Sequence, residues 1–458
     1  MENSIHAGLP NDVFMALRSA RSSICNPVCH GAKLRGMVGS MAVSLLMLLA
    51  LNSGAAHAVS VDAHPNLQKV VDELVAENVY TRTELVDVLA RATIQEKILE
   101  AMKNPAESKF TWGKYRKLFM KPDRIEAGAQ FWREHHQELS RAEQKYGVPA
   151  EMIVAIIGVE SKFGRFKGSH KVIDSLVSLV VDFPRRSAFF ASELKHFLIL
   201  VKENSFAIDE VMGSYAGAMG YPQFIASSYR HYAVDFSADG VTDLINQPSD
   251  AIGSIANYFV ENGWKRDEPV TSEGFSSVPA AIVDLANRKR EVRYTAQELR
   301  RSGAPVSELV ADNEKLNVLW LNAAEEVNNP QQSGLYTVRA GDTVCEIAES
   351  QKVSCRALMA LNKIDSRGKI YRGQQLKLPV SARSTKLVEG RSDSKWKVNS
   401  KSLQKNDSST IDQYFFPHEN FYVITRYNQS VLYAMAVFEL SKAIKMEHQK
   451  VQSATGGY

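Results

Sequence analysis

Glu160 is the residue whose type and place could do chemistry. Ile153, Ile156 and Ile157 form one stripe of a helical pattern that starts near Pro149, and Glu160 continues that stripe. An ionised carboxylate on an apolar stripe is costly, so such a group is either protonated or paired. The C-terminal end of a helix disfavours negative charge further. Both effects predict a raised pKa, and a glutamic acid that keeps its proton near neutral pH is the general acid that glycosidic cleavage requires. The competing reading is a buried glutamate paired with Arg165, Arg185 or Arg186, and the pattern alone leaves the two even.

Two further constellations stand out. Asp235-x-Ser237-x-Asp239-Gly240 places oxygen side chains at alternate positions before a turn glycine, as at the start of a calcium loop. Asn246 stands where a closing glutamate is usual and Val241 offers only its carbonyl, so Asp250 would have to close the site. A structural calcium on Asp235, Ser237, Asp239 and Asp250, or a metal-free loop of Asx turns, are both open. Cys345 and Cys355 could form a disulfide in an oxidising compartment. Cys25 and Cys29 have the spacing of a metal half-site but no partner pair.

The elements that must position these residues are mostly helical. Leu67, Val70, Val71, Leu74 and Val75 set a helical period in a stretch reaching Lys103, before the Asn104-Pro105 break. An amphipathic run from Arg124 to Tyr146 ends at Gly147-Val148-Pro149. Pro149 opens the Glu160 helix and Gly164 is its stop signal. Further helices are predicted over 172–181, 186–201 and 250–262, around a glycine-rich segment from Gly213 to Gly220. Residues 335–379 differ: a β-like run, a Gly341-Asp342 turn, two short helical patterns and a second β-like run make one β-α-α-β unit. A polar stretch precedes it, and 381–409 is rich in Ser, Lys and Asp, as flexible linkers are. An aromatic-rich stretch from Tyr414 to Asn428 and an apolar helix over 431–445 follow.

Several of these strings, in order, resemble the membrane-bound lytic transglycosylase B family. They are Ile156-Ile157-Gly158-Val159-Glu160-Ser161-Lys162-Phe163-Gly164-Arg165; Pro184-Arg185-Arg186; Gly213 through Phe224; and Ala233 through Gly240. Phe421 through Ser430 and the Tyr433–Val437 helix resemble the end of that family's domain. Tyr336-Thr337-Val338-Arg339-Ala340-Gly341-Asp342-Thr343, Leu358-x-x-Leu361-Asn362 and Gly373 through Pro379 resemble a LysM module. The resemblance implies a mainly α, lysozyme-like transglycosylase domain with a small inserted β-α-α-β LysM module. It divides the chain into a signal peptide (1–58), a first catalytic part (59–323), the LysM insertion (335–380), a linker (381–410) and a second catalytic part (411–446).

By that resemblance Glu160 is the single catalytic acid/base. It cuts the β-1,4 bond between N-acetylmuramic acid and N-acetylglucosamine in peptidoglycan and leaves 1,6-anhydromuramoyl ends. Ser214, Gln223, Tyr115, Tyr258, Tyr427, Asn428, Arg185 and Arg186 are carried over as substrate-binding positions. For each aromatic taken alone, core packing is the competing reading. Catalysis requires no cofactor. The partners implied are peptidoglycan glycan strands, with N-acetylglucosamine-containing glycan for the LysM module, and other cell-wall enzymes. The rival functions are a lysozyme-like muramidase that uses water and a non-catalytic wall-binding protein.

Composition sets the class and the compartment. The chain has 458 residues, 45% hydrophobic and 23% charged, which suits a globular protein of two or three domains. A net charge of +4 gives no case for nucleic acid. Arg35, an apolar stretch from Met37 to Leu51 and the end Ala56-His57-Ala58 read as a secretory signal cleaved after Ala58. The stretch ahead of Arg35 is long for such a flank, which points to a start at Met15 or Met37. The apolar run is short for a membrane span of about 20 residues. The expected location is the periplasm of a Gram-negative bacterium, with membrane association if the signal is retained.

Overall fold

The computed structural model describes residues 59–103, 110–287, 289–323, 335–339, 341–351, 353–365, 368–378 and 412–455. The signal segment and the 381–410 linker lie outside these. Among the described residues the chain is mainly helical, and its strands form only two-stranded ladders. Two compact units divide it. The first comprises residues up to 109, 118–268 and 420–458, and the second 110–117 and 269–419.

In the first unit, the helical stretch ahead of Asn104 resolves into Pro65–Ala76, Arg82–Ala90 and Glu96–Lys103. Thr81 and Glu84 cap the second with a reciprocal pair of side-chain to backbone bonds. The long amphipathic run is two helices, Pro122–Glu134 and His136–Tyr146, broken at His135.

The helix Ala150–Ser161 is buried from Met152 to Ser161 without interruption. It is therefore a central helix and not an amphipathic one. The helices Pro122–Glu134, His136–Tyr146, Pro248–Glu261 and Val431–Thr455 pack around it. Sequence periodicity showed one stripe of this helix because the isoleucines are its largest side chains. Alanine, glycine and valine fill the remaining faces, where neighbours come close.

The C-terminal helix Val431–Thr455 packs on both Pro122–Glu134 and Ala150–Ser161. Gly128 permits the approach, since a Cβ there would lie 2.5 Å from Ile444 Cδ1. Lys445 Nζ meets Glu151 Oε1 at 2.7 Å. The helix Glu419–Tyr427 leads into it. Asn420, fully buried, stitches the returning chain to the departing one: its side chain accepts from Lys265 N at 2.8 Å and donates to Lys265 O and Glu268 O, both at 2.8 Å.

In the second unit, the strand Leu319–Asn322 pairs antiparallel with Asp412–Phe415, in a register from Leu319 opposite Phe415 to Asn322 opposite Asp412. The chain thus leaves this ladder at Asn322 and rejoins it at the facing position. Ile282, Leu299, Leu316, Val318 and Phe416 form the core beside it. The module between has its own core of Val338, Val344, Ile347, Ala348, Leu358 and Leu376. Its strands Leu335–Thr337 and Gln375–Lys377 pair antiparallel, and its helices are Val344–Ser350 and Cys355–Leu361. Asp342 Oδ2 accepts from the Tyr336 hydroxyl at 2.9 Å and Arg339 N at 2.7 Å, which fixes the turn after the first strand. Cys345 and Cys355 are joined as a disulfide, with Cα atoms 4.7 Å apart.

Candidate active site

Glu160 is the penultimate residue of the central helix and only 7% exposed. Its Oε1 accepts a hydrogen bond from the Tyr433 hydroxyl at 2.5 Å. Tyr433 lies in the first turn of the C-terminal helix and is fully buried. The Lys445–Glu151 ion pair grips the other end of the same helix, so the two helices run antiparallel with a polar contact at each end.

The chain leaves the helix abruptly. Lys162 (φ +49°) and Phe163 (φ +60°) are successive left-handed residues that are not glycine, a costly backbone. Two features hold it. Phe163 N–H donates to Ile157 O at 3.3 Å, and the Phe163 ring turns back against Phe131, centroids 5.8 Å apart. Gly164 follows at φ +81°, where a Cβ would lie 2.1 Å from the Tyr221 ring. Ser161 Oγ donates to Tyr221 O at 2.8 Å and accepts from Gly164 N at 3.0 Å. The glycine-rich segment is therefore fastened to the end of the helix that carries Glu160.

That segment is stiff. Met219 and Phe224 exchange backbone bonds at 2.8 and 3.1 Å, and Met219 also bridges to Gly213. Ser214 Oγ accepts from Ala216 N at 3.2 Å and Ala218 N at 3.0 Å. Gln223, at φ +50° and 4% exposed, donates through Nε2 to Gly220 O at 2.9 Å and Lys167 O at 3.2 Å. Both side chains brace the loop.

Aromatic rings run from this loop to the carboxylate. Tyr232, Tyr258 and Tyr427 follow one another with centroids 4.7 and 4.8 Å apart, and Tyr427 stacks toward Tyr433 at 6.5 Å. Phe224 lies 5.5 Å from Tyr258 and 5.7 Å from Tyr427. The Tyr258 hydroxyl donates to Arg426 O and the Tyr427 hydroxyl to Pro222 O, both at 2.7 Å. Burial raises the pKa of both phenols well above the ordinary value, and the charge of Glu160 adds to the effect. They remain hydrogen-bond donors at any working pH.

Other expected positions are distributed differently. Asn428 Oδ1 accepts from Ser430 N at 3.0 Å in the turn before the C-terminal helix. Arg185 and Arg186 occupy the short 3-10 turn Pro184–Arg186, where Arg186 lies over Phe189 at 4.6 Å. Tyr115, fully buried in the helix Trp112–Phe119, belongs to the second unit. The Tyr115 and Tyr427 rings are closed to solvent, so in this conformation they stand behind the surface. Sequence reasoning did not single out Tyr433, although it lies within the helix string that carried the resemblance.

The Asp235 loop is closed on itself. Asp235 accepts from Ala238 N at 2.7 Å, Asp239 N at 3.2 Å, Gly240 N at 2.8 Å and Ser237 Oγ at 3.1 Å. Asp250, fully buried, accepts from Phe236 N at 2.9 Å, Ser237 N at 2.7 Å and Asp243 N at 2.9 Å, using both oxygens. Among the described residues no three His, Cys, Asp or Glu side chains converge as a metal cage. Asp235, Asp239 and Asp250 thus hold backbone N–H groups of this loop.

Comparison with known proteins places the chain in one class. The transglycosylase SLT domain family matches residues 62–336 and the LysM domain family matches 336–379. The chain belongs to the transglycosylase SLT family and carries a LysM domain; it is a peptidoglycan-cleaving lytic transglycosylase. It is 31% identical to membrane-bound lytic murein transglycosylase B of Escherichia coli over 392 residues, 84% of this chain and 83% of that one. Among solved structures, the catenated lytic transglycosylase SltB1 of Pseudomonas aeruginosa matches with a TM-score of 0.62 at 31% identity, covering 85% of this chain and 100% of that chain. The Escherichia coli lytic transglycosylase Slt35 in complex with calcium matches with a TM-score of 0.61 at 28% identity, covering 88% and 99%.

Proposed function

We propose that Glu160 alone serves as acid and then base in a non-hydrolytic cleavage of the glycan strand. The bond cut is the β-1,4 link from N-acetylmuramic acid to N-acetylglucosamine. Glu160 first donates its proton to the glycosidic oxygen as that bond breaks. The substrate's N-acetyl group stabilises the oxocarbenium-like centre at C1. The Glu160 carboxylate then takes the proton from the C6 hydroxyl of the same sugar, and the oxygen closes on C1. The product is a 1,6-anhydro end, and no water is consumed.

The observation that carries this reading is the Tyr433 hydroxyl at 2.5 Å from Glu160 Oε1 in a buried, ring-lined setting. A donor on one carboxyl oxygen fixes the rotamer and steadies the carboxylate left after proton transfer. The same group is then in place to act as base. Ser214 and Gln223 hold the loop facing the sugar, and Tyr258 and Tyr427 support it from behind. No step uses a metal.

The proposed setting is the wall compartment outside the cytoplasm, the periplasm of a Gram-negative bacterium. The Cys345–Cys355 bridge suits an oxidising environment. Among the described residues no helix is long and apolar enough to cross a membrane. Mass spectrometry of products from purified sacculi tests the chemistry. Anhydro ends, one water lighter than reducing ends, are expected, whereas reducing ends would make the enzyme a hydrolase.

A further inference from the structure

The LysM module touches the rest of its unit through more than its two chain connections. Arg356, the second residue of the Cys355–Leu361 helix, lays its guanidinium over the Trp320 ring, 5.4 Å from the centroid. Trp320 belongs to the strand from which the chain departs toward the module, and Asp412 opens the strand on which it returns. The half-buried Asp412 carboxyl lies near Trp320 and Ser354 and in the field of Arg356. Trp320 Nε1 and Arg356 Nη1 are both sealed from solvent, and neither has a hydrogen-bond partner. Exposed side chains that met only in passing would leave these atoms wet. Cys355 stands between Ser354 and Arg356, and its disulfide to Cys345 ties that first helical turn to the neighbouring helix.

We propose that Trp320, Ser354, Arg356 and Asp412 form a latch that seats the LysM module on its stem in one orientation. A module on loose tethers raises local concentration but binds from any direction. A seated module presents its binding face from one direction, so attachment to a glycan strand also orients the stem. A guanidinium stacked on an indole, with a half-buried carboxylate near by, is suited to this, because each group would be costlier to bury without the others. The latch is independent of the ligand: it holds even if the module recognises a different glycan.

The test places spin labels at Leu309→Cys and Lys369→Cys in the full chain, with Cys25 and Cys29 replaced by serine and the native disulfide intact. Pulsed dipolar spectroscopy reads the distance between them. One narrow distance is expected in this background. Arg356→Glu should broaden the distribution at least about twofold, and adding Asp412→Arg should narrow it again. A circular dichroism melt of each variant checks that the module itself remains folded. A broad distribution in the parent overturns the latch. So does a distribution that stays narrow in Arg356→Glu, and failure of the reversed pair to narrow it removes Asp412 from the latch.

Discussion

The Tyr433 hydroxyl donates to Glu160 Oε1 at 2.5 Å, across 273 residues of intervening sequence. The 269–419 segment of the second unit, with the LysM domain inside it, lies within that interval. The chain returns to the first unit at Asn420, and only then supplies the residue that holds the Glu160 carboxyl. The C-terminal segment is therefore part of the proposed active site.

Tyr433→Phe keeps the ring and removes the hydroxyl. The expected result is a kcat lower by roughly 10- to 100-fold with KM little changed, because orientation and not binding is lost. Leaving a buried carboxyl without this donor should also cost about 1–3 kcal/mol of stability. Steady-state kinetics on soluble glycan fragments and a thermal melt check both. An unchanged kcat would remove Tyr433 from the mechanism.

The register of Asn322 opposite Asp412 predicts what can be cut out. Deleting Glu325 to Ser409 and closing the gap with a short Gly-Ser bridge should leave a folded, active enzyme with weaker binding to sacculi. Ending the chain at Pro379 removes Asn420, Tyr427 and Tyr433 and should abolish activity. Activity assays of the two proteins on one soluble substrate decide, and a fully active truncated chain would contradict the shared active site.

The Asp235 loop should be indifferent to calcium. Its carboxylates already accept backbone N–H groups, and Asp250 directs both oxygens to them. Ligand at about 100 times its Kd would stabilise the fold by about 2.7 kcal/mol. Melting curves in millimolar calcium and in chelator should therefore coincide. A rise of several degrees with calcium would show that Asp250 turns to complete a cage.

Glu193 gives a pH dependence whose sign is set by burial. It is 3% exposed and accepts from Ser227 N at 3.0 Å. Burial raises its pKa, against the opposing pull of Ser227 and Arg186. The folded chain then holds this proton more tightly than the unfolded chain, whose glutamate titrates near about 4.3. Its contribution to stability is full below that value and is lost as pH rises through the folded pKa. Glu193→Gln keeps an acceptor for Ser227 and removes the titration. The substituted protein should lose less stability than the parent between about pH 4 and pH 8, read from melts across that range. An identical pH slope in the two proteins would contradict this.

The sequence made Glu160, the glycine-rich loop and the LysM boundaries legible because each is a local string. Tyr433 was hidden by its own surroundings. A tyrosine among Leu432, Ala434 and Met435 reads as helix core, and nothing local reports a hydroxyl partner 273 residues away. The burial of the central helix on all faces was hidden for a similar reason. Gly158 and Ala155 look like gaps in an apolar stripe, yet they are close-packing points. The break at His135 has no proline or glycine to announce it. Gln223 braces Gly220 and Lys167 through a left-handed backbone that glutamine rarely adopts, which no local pattern announces.

The most direct test of the central claim is mass spectrometry of sacculi digested by the parent enzyme and by Glu160→Gln, with folding of both confirmed by circular dichroism. The parent should release 1,6-anhydromuramoyl products. The folded variant should show at least about a 1,000-fold loss of turnover. Anhydro products released by Glu160→Gln at an undiminished rate would contradict the role of Glu160.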